Sequence, residues 1–390
     1  MTGVLDGIRI LDFTQEVLGP WSTALLSDMG ADVDKVERRE GEYGRRGGPS
    51  YVTVLNRGKR SITLDLKHPK AMEIVRKMVA RSDVVVSNWV PGVMDRLGLG
   101  YDDLVRVKPD LIYATGSTFG SEGPWARKPG RDTLGQAMGG LMSVTGLSDG
   151  HPFPAGAIVA DSSSGLALAA AILAALLHRE RTGEGQQVEV SLYGTVVCMQ
   201  PWEITKRSFE PETPMRRAGR NHAFALRGVW GAFRTADGYV CMAGCHDHEW
   251  PALCQVLGIE DRQNDPLIAT ADLRNQNEEE VWRVLEPAFA QRTTKEWLEA
   301  LGAQRLLAAP VQTYDDILND EQARINGYIR TLEHPDLAQV KIVGHPIKMS
   351  KTPPAPRGPA PEIGQHTEEA LLELGYGWPE IEQLRAEGVI

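Results

Sequence analysis

The chain has 390 residues, 42% hydrophobic and 24% charged, with a formal net charge of −10. This is an ordinary globular composition for about two to three domains, and the acidic balance excludes a general nucleic-acid or anionic-membrane surface while allowing a local basic pocket. Four cysteines in this length build no disulfide framework; with no leader-type segment and no run of about 18 apolar residues legible, a cytoplasmic protein without a membrane span is expected.

The first part alternates short β-rich runs with helical ones. Residues 8–13 (IRILDF) read as a buried strand, and Gly19-Pro20 opens a helix that runs to Met29 and stops at Gly30. Strands follow at 33–37, 61–66, 83–89 and 111–117, with a helix over 69–80. Strand, helix, strand at this spacing implies a parallel sheet with crossover helices, an α/β and Rossmann-like layout. The turn after the first strand, Thr14-Gln15-Glu16-Val17-Leu18-Gly19, carries no Gly-x-Gly-x-x-Gly, and no Gly-x4-Gly-Lys-Ser/Thr loop occurs. Dehydrogenase and nucleotide-hydrolase chemistry lose support.

Within residues 157–192 one carboxylate, Asp161, precedes a helix at 165–177 that is apolar on every face. Such a helix belongs in a core, and it is too short to span a bilayer. Asp161 has two possible roles. It can cap the helix, helped by Ser162, Ser163 and Ser164, or act as a nucleophile or base kept ionised by helix-end N–H groups. The serines lie in no Gly-x-Ser-x-Gly elbow, so serine-hydrolase chemistry is not supported.

A polar stretch over 201–227 reads as a linker. Residues 228–244 form two strands joined at Asp237-Gly238, a strong hairpin signal, and helices follow at 249–257, 278–290 and 294–301. The resulting organisation is a large α/β domain beginning with 1–200 and a small α+β domain over 228–325. A return segment over 326–390, with a proline-rich strap at 351–361 and two final helices, completes the large domain. Cys241-x3-Cys245-His246-x-His248 matches no standard zinc spacing.

Basic residues gather near strand ends: Arg38 and Arg39 after the second strand, Lys59 and Arg60 before the third, Lys67 at its end, and Arg96 beyond Asn88-Trp89. In open α/β sheets ligands bind outside the carboxyl ends of strands. The cluster would suit a phosphorylated cofactor; taken singly, each residue reads as a solvated surface charge.

Several segments in order are similar to one family. They are LDGIRILDFT (5–14), GPWSTALLSDMGADVDKVER (19–38), NRGKRSITLDLK (56–67), DVVVSNWVPGVMDRLGL (83–99), the Asp161 segment (160–192), the TADGY turn and PEIGQHTEEALLELGY (361–376). The chain resembles the class III CoA-transferases, which include formyl-CoA transferase and carnitine CoA-transferase, with α-methylacyl-CoA racemase as a relative. The resemblance implies a large domain with a smaller one inserted, and an interlocked homodimer. It implies coenzyme A or an acyl-CoA as substrate beside a small carboxylic acid, with no tightly bound cofactor and no metal. By position it makes Asp161 the catalytic aspartate, working through aspartyl anhydride and aspartyl-CoA thioester intermediates. It places Arg38, Leu64, Lys67, Asn88, Trp89 and Arg96 along the CoA site.

Two departures bear on the reaction. Val17 stands where the formyl-CoA branch has glutamine, and 218–223 lacks a four-glycine run, so formyl-CoA/oxalate transfer is not expected. Arg131 stands where the racemase has histidine; an always-charged arginine cannot shuttle a proton. Arg131 either binds the carboxylate of the acid substrate or is a surface arginine. Asp132 either orients the site or caps the helix after it. The alternatives to CoA transfer are a 2-methylacyl-CoA racemase or epimerase and a non-catalytic acyl-CoA-binding subunit.

Overall fold

Six short strands line up in parallel because helices connect them. The strands are β1 (Arg9–Asp12), β2 (Asp32–Glu37), β3 (Arg60–Thr63), β4 (Val84–Ser87), β5 (Ile112–Ser117) and β6 (Gln187–Ser191), in the spatial order β3-β2-β1-β4-β5-β6. Every pairing is parallel. The strand order reverses between β1 and β4, which leaves a crevice at their carboxyl ends. The computed structural model describes residues 3–147, 150–212, 217, 219, 228–335 and 337–390.

Alternate residues feed two cores, one on each face of the sheet. Leu11, Val36, Val85 and Tyr113 pack with the chain-terminal helices through Leu371, Ile381 and Leu384. Ile10, Val33, Val84 and Ile112 pack with Leu168 and Ile172 on the other face. The return segment is anchored to β3 and the residues after it: Thr63 N–H donates to Thr367 Oγ1 at 3.0 Å, and Asp65 N–H donates to the Val389 carbonyl at 2.8 Å.

The chain divides into two compact units. The first comprises Met1–Leu141, Pro154–Pro201 and Asp320–Ile390; the second comprises Met142–Phe153 and Trp202–Asn319. In the second, the hairpin Trp230–Arg234/Tyr239–Ala243 is joined by Ala308–Pro310 in an antiparallel sheet. It packs on a core of Phe233, Trp250, Phe289 and Trp297. Part of the expected linker is helical, over Pro201–Phe209. Residues 220–223 of the glycine-poor segment lie outside the described residues.

The helix bearing Asp161 is longer than its apolar run indicates. It spans Val159–Thr182, 24 residues with a window of mean hydropathy 1.7. Length and composition alone would therefore allow a membrane span, contrary to the short helix read from the sequence. Its buried side, including Ala160, Leu168 and Ile172, packs against the sheet.

Candidate active site

Helices α1 (Leu18–Asp28), α2 (Pro49–Asn56), α3 (Pro69–Val79), α4 (Asp132–Met138) and α5 (Val159–Thr182) surround the sheet. Asp161 is the third residue of α5, so it lies inside the first turn. The N-cap residue is Ile158, without a side-chain bond. The capping role considered for Asp161 belongs to Asp132, whose Oδ1 accepts from Ala160 N–H at 2.8 Å and Asp161 N–H at 3.1 Å. Its Oδ2 accepts from Gln136 Nε2 at 2.5 Å. Asp132 thus caps α5, the helix it packs against, and leaves α4 without a side-chain cap. Nor do the serines cap: Ser163 Oγ donates back to the Val159 carbonyl at 2.6 Å.

Freed from capping, the Asp161 carboxylate is favoured in its ionised form by the backbone N–H of Leu18, the first residue of α1. Close packing of the two helices permits this. A Cβ on Gly165 would stand 2.7 Å from Trp21 Cδ1 and 2.9 Å from the Leu18 carbonyl. Burial, joined by the Asp132 and Glu16 carboxylates, raises the Asp161 carboxyl from its ordinary 3.8 to about 7, against the Leu18 N–H and Arg131. A carboxyl balanced near neutrality is a functional-site signature.

The loop that supplies Leu18 N–H rests on a buried charge lattice. Asp12 accepts from Thr14 N–H (2.7 Å), Thr23 Oγ1 (2.6 Å) and Lys59 Nζ (3.0 Å). Lys59 also donates to the Pro20 carbonyl, and Lys35 to the Thr14 carbonyl. Burial pushes the Asp12 carboxyl up, but Lys59 and Lys35 outweigh it and hold the group well below the usual range. Lys59 is a structural group committed to Asp12, although burial pulls it down to about 8. The expected basic cluster loses it, and it also loses Arg60, which pairs with Asp34 and Glu373.

Across the strand-order reversal, Gln15 N–H donates to Asn88 Oδ1 at 2.8 Å, and Asn88 Nδ2 donates back to the Gln15 carbonyl at 2.6 Å. Asn88 fastens β1's loop to β4's loop. The next residue, Glu16, is held at φ +60, a left-handed conformation that strains a non-glycine residue. Glu42 secures it by accepting Glu16 N–H at 3.0 Å. The Glu16 carboxylate meets Arg131 at 3.6 Å and accepts from Tyr51 Oη at 3.4 Å. Val17 is buried as the N-cap residue of α1, so Glu16, rather than Val17, brings a side chain to Asp161. No pattern in the sequence pointed to the Glu16 carboxylate or to Tyr51.

Beside this loop lies a cavity of about 560 Å³ lined by Gln15, Leu64, Trp89 and four basic residues, Arg38, Arg39, Lys67 and Arg96. None of the four makes an ion pair among the described residues. Four acids also line it: Glu37 and Glu42 are paired with Arg45 and Lys35, while Glu40 and Asp65 complete the lining. An apolar wall with unpaired cations suits a molecule that is part anion and part ring or chain. Five of the six expected CoA-site residues line this cavity; Asn88 stands behind it. In the second unit, Cys245 is a buried thiol raised to about 12 by its burial, and no cluster among the described residues is suited to a metal ion.

A family model for CoA-transferase family III matches residues 5–367. The chain belongs to CoA-transferase family III. This transferase is an enzyme that moves coenzyme A between an acyl-CoA and a carboxylate. It is 33% identical to the succinyl-CoA:glutarate CoA-transferase of Mus musculus, over 99% of this chain and 90% of that protein. It is 37% identical to the succinyl-CoA:mesaconate CoA-transferase of Haloarcula hispanica, over 96% of this chain and 97% of that one. The fold matches the crystal structure of a CAIB/BAIF family protein from Brucella suis with a TM-score of 0.87 and 31% identity, covering 96% and 100% of the two chains.

Proposed function

We propose that the transferase works through Asp161 as a covalent acyl carrier, with CoA held in the basic cavity. The observation that carries this is the Asp161 carboxyl, balanced at about 7 by burial and its charged neighbours, one loop away from four cations without ion pairs among the described residues. Arg38, Arg39, Lys67 and Arg96 would meet the CoA phosphates, while Leu64 and Trp89 cover its apolar parts.

Ionised Asp161 attacks the thioester carbonyl. The C–S bond breaks, giving a mixed aspartyl anhydride and CoA thiolate. The thiolate then attacks the aspartyl carbonyl, which forms the aspartyl-CoA thioester and releases the first acid as its carboxylate. The acceptor carboxylate repeats these exchanges in reverse. Each step trades one activated acyl bond for another, so no barrier carries the whole transfer. Leu18 N–H would hold negative charge at the aspartyl oxygen. Asp132, with both oxygens engaged, positions α5. Arg131 supplies a cation for the carboxylate of the acid substrate.

A homodimer is part of the proposal. Leu166 and Leu177 leave an exposed stripe along α5 that a second copy would cover, and light scattering on the purified chain tests it. For the chemistry, the protein is incubated with succinyl-CoA, quenched with hydroxylamine, and digested. A hydroxamate on the Asp161 peptide, absent from Asp161→Asn, is expected. CoA exchange without any label there would overturn the covalent assignment.

A further inference from the structure

We propose that Arg131 receives the second carboxylate of a dicarboxylic acid, and that Glu16 is an internal carboxylate which holds Arg131 until that substrate displaces it. The inference rests on Asp161 being the acyl carrier.

Three charged side chains act on Asp161: Asp132, Glu16 and Arg131. Asp132 is fully engaged by Ala160, Asp161 and Gln136. Arg131 is the one cation of the three, and its side chain is 75% exposed, whereas Asp161 is half-buried. A cation on the rim, outside the reacting carboxyl, meets the end of an acid that does not react.

The guanidinium is held loosely. It touches Glu16 through a single 3.6 Å contact, lies 5.8 Å from the centre of the Tyr43 ring, and makes no hydrogen bond with a described residue. An exposed pair of this kind contributes little to stability, so breaking it costs little. An incoming carboxylate can take two N–H groups of the fork at once, which Glu16 does not do here.

Glu16 itself loses little when displaced. Tyr51 donates to its other oxygen. Burial, with Glu16, Glu42 and Asp161 nearby, pushes the Tyr51 phenol well up, so it stays a donor. The strained backbone at Glu16 is fixed by Glu42, so the carboxylate remains at the site whether or not Arg131 is bound. A monocarboxylic acid brings nothing to exchange for Glu16 and gains nothing from Arg131. A dicarboxylic acid replaces one anion by another on the same cation, and the Glu16 carboxylate it frees keeps its hydrogen bond from Tyr51.

The test compares glutarate with pentanoate, acids of equal carbon count, as acceptors from succinyl-CoA. In the parent protein kcat/KM for glutarate is expected to exceed that for pentanoate at least tenfold. Arg131→Gln should lower the glutarate value at least tenfold more than the pentanoate value, chiefly through KM, and Arg131→Lys should restore part of the preference. Glu16→Gln should lower KM for glutarate several-fold relative to pentanoate and move the midpoint of the rate–pH curve below that of the parent. An equal loss for both acids in Arg131→Gln, or a raised glutarate KM in Glu16→Gln, would overturn the proposal. Labelling of the Asp161 peptide separates the two readings. If the label persists while the acid preference ignores Arg131, this inference alone falls; if the parent protein takes no label, the acyl-carrier reading falls.

Discussion

Replacing Asp161 by Asn is expected to stabilise the protein while removing its chemistry, with a gain that grows with pH. The folded protein raises this carboxyl from 3.8 to about 7, through burial first and then Asp132 and Glu16. Between those values the folded state keeps a proton that the unfolded chain has released. Stability therefore falls as pH rises through this window, and the full loss is present above the folded value. One unit corresponds to about 1.4 kcal/mol, so the upper bound is near 4 kcal/mol; solvent reaching the half-buried group reduces it to about 2–3 kcal/mol. Asn keeps the shape and an acceptor for Leu18 N–H, but has no charge to desolvate. Calorimetric melts should place the variant roughly 2–5 °C above the parent at about pH 8.5, and less than half as far above it at about pH 5. An equal or lower melting temperature at the higher pH, or a gap independent of pH, would refute the idea that the fold works against this ionisation.

Other outcomes follow from the same geometry. The rate of CoA transfer should rise with pH to a plateau, with a midpoint near the Asp161 value of about 7, because only the carboxylate attacks; stopped-flow rates over that range check it. Gly165→Ala places a methyl within 2.7 Å of Trp21 and 2.9 Å of the Leu18 carbonyl. It should cost about 1–3 kcal/mol by overpacking and lower kcat by moving Leu18 N–H, both measurable by urea unfolding and kinetics. Removing Lys67 or Arg96 as Ala should raise KM for the CoA thioester roughly tenfold each, at about 1.4 kcal/mol per contact, with kcat largely kept. Asp12→Ala strips the partner from buried Lys59 and should destabilise by about 3–5 kcal/mol, seen as a lowered denaturation midpoint.

The parallel sheet was legible because short strand-like runs alternate with helical ones at crossover spacing; only β4 (VVVS) is a continuous apolar run. The basic cavity was legible because ligand sites gather at strand ends, although Lys59 and Arg60 could not be removed from it without knowing where they point. The cap was not legible: Asp132 lies 28 residues before Ala160, and capping motifs are read only within one turn. The length of α5 was missed because its polar ends, Asp161 to Ser164 and His178 to Thr182, look like loops until their backbone bonds are seen. The Glu16 carboxylate was missed for a related reason, since nothing in Gln-Glu-Val announces a left-handed backbone.

The bonds from Thr63 and Asp65 to Thr367 and Val389 impose an order on synthesis. The strand edge that walls the cavity is made early, yet its partners emerge about 300 residues later, with |i−j| of 304 for the Thr63 pair. At ribosomal speeds of about 5–20 residues per second, that edge waits for tens of seconds. During that time an unfinished strand is open to pairing with other chains. Closing so distant a contact is also slow in itself. Newly made transferase should therefore acquire its CoA cavity only after residues 367–389 are released, and chaperone demand should fall on this interval rather than on the separately cored second unit.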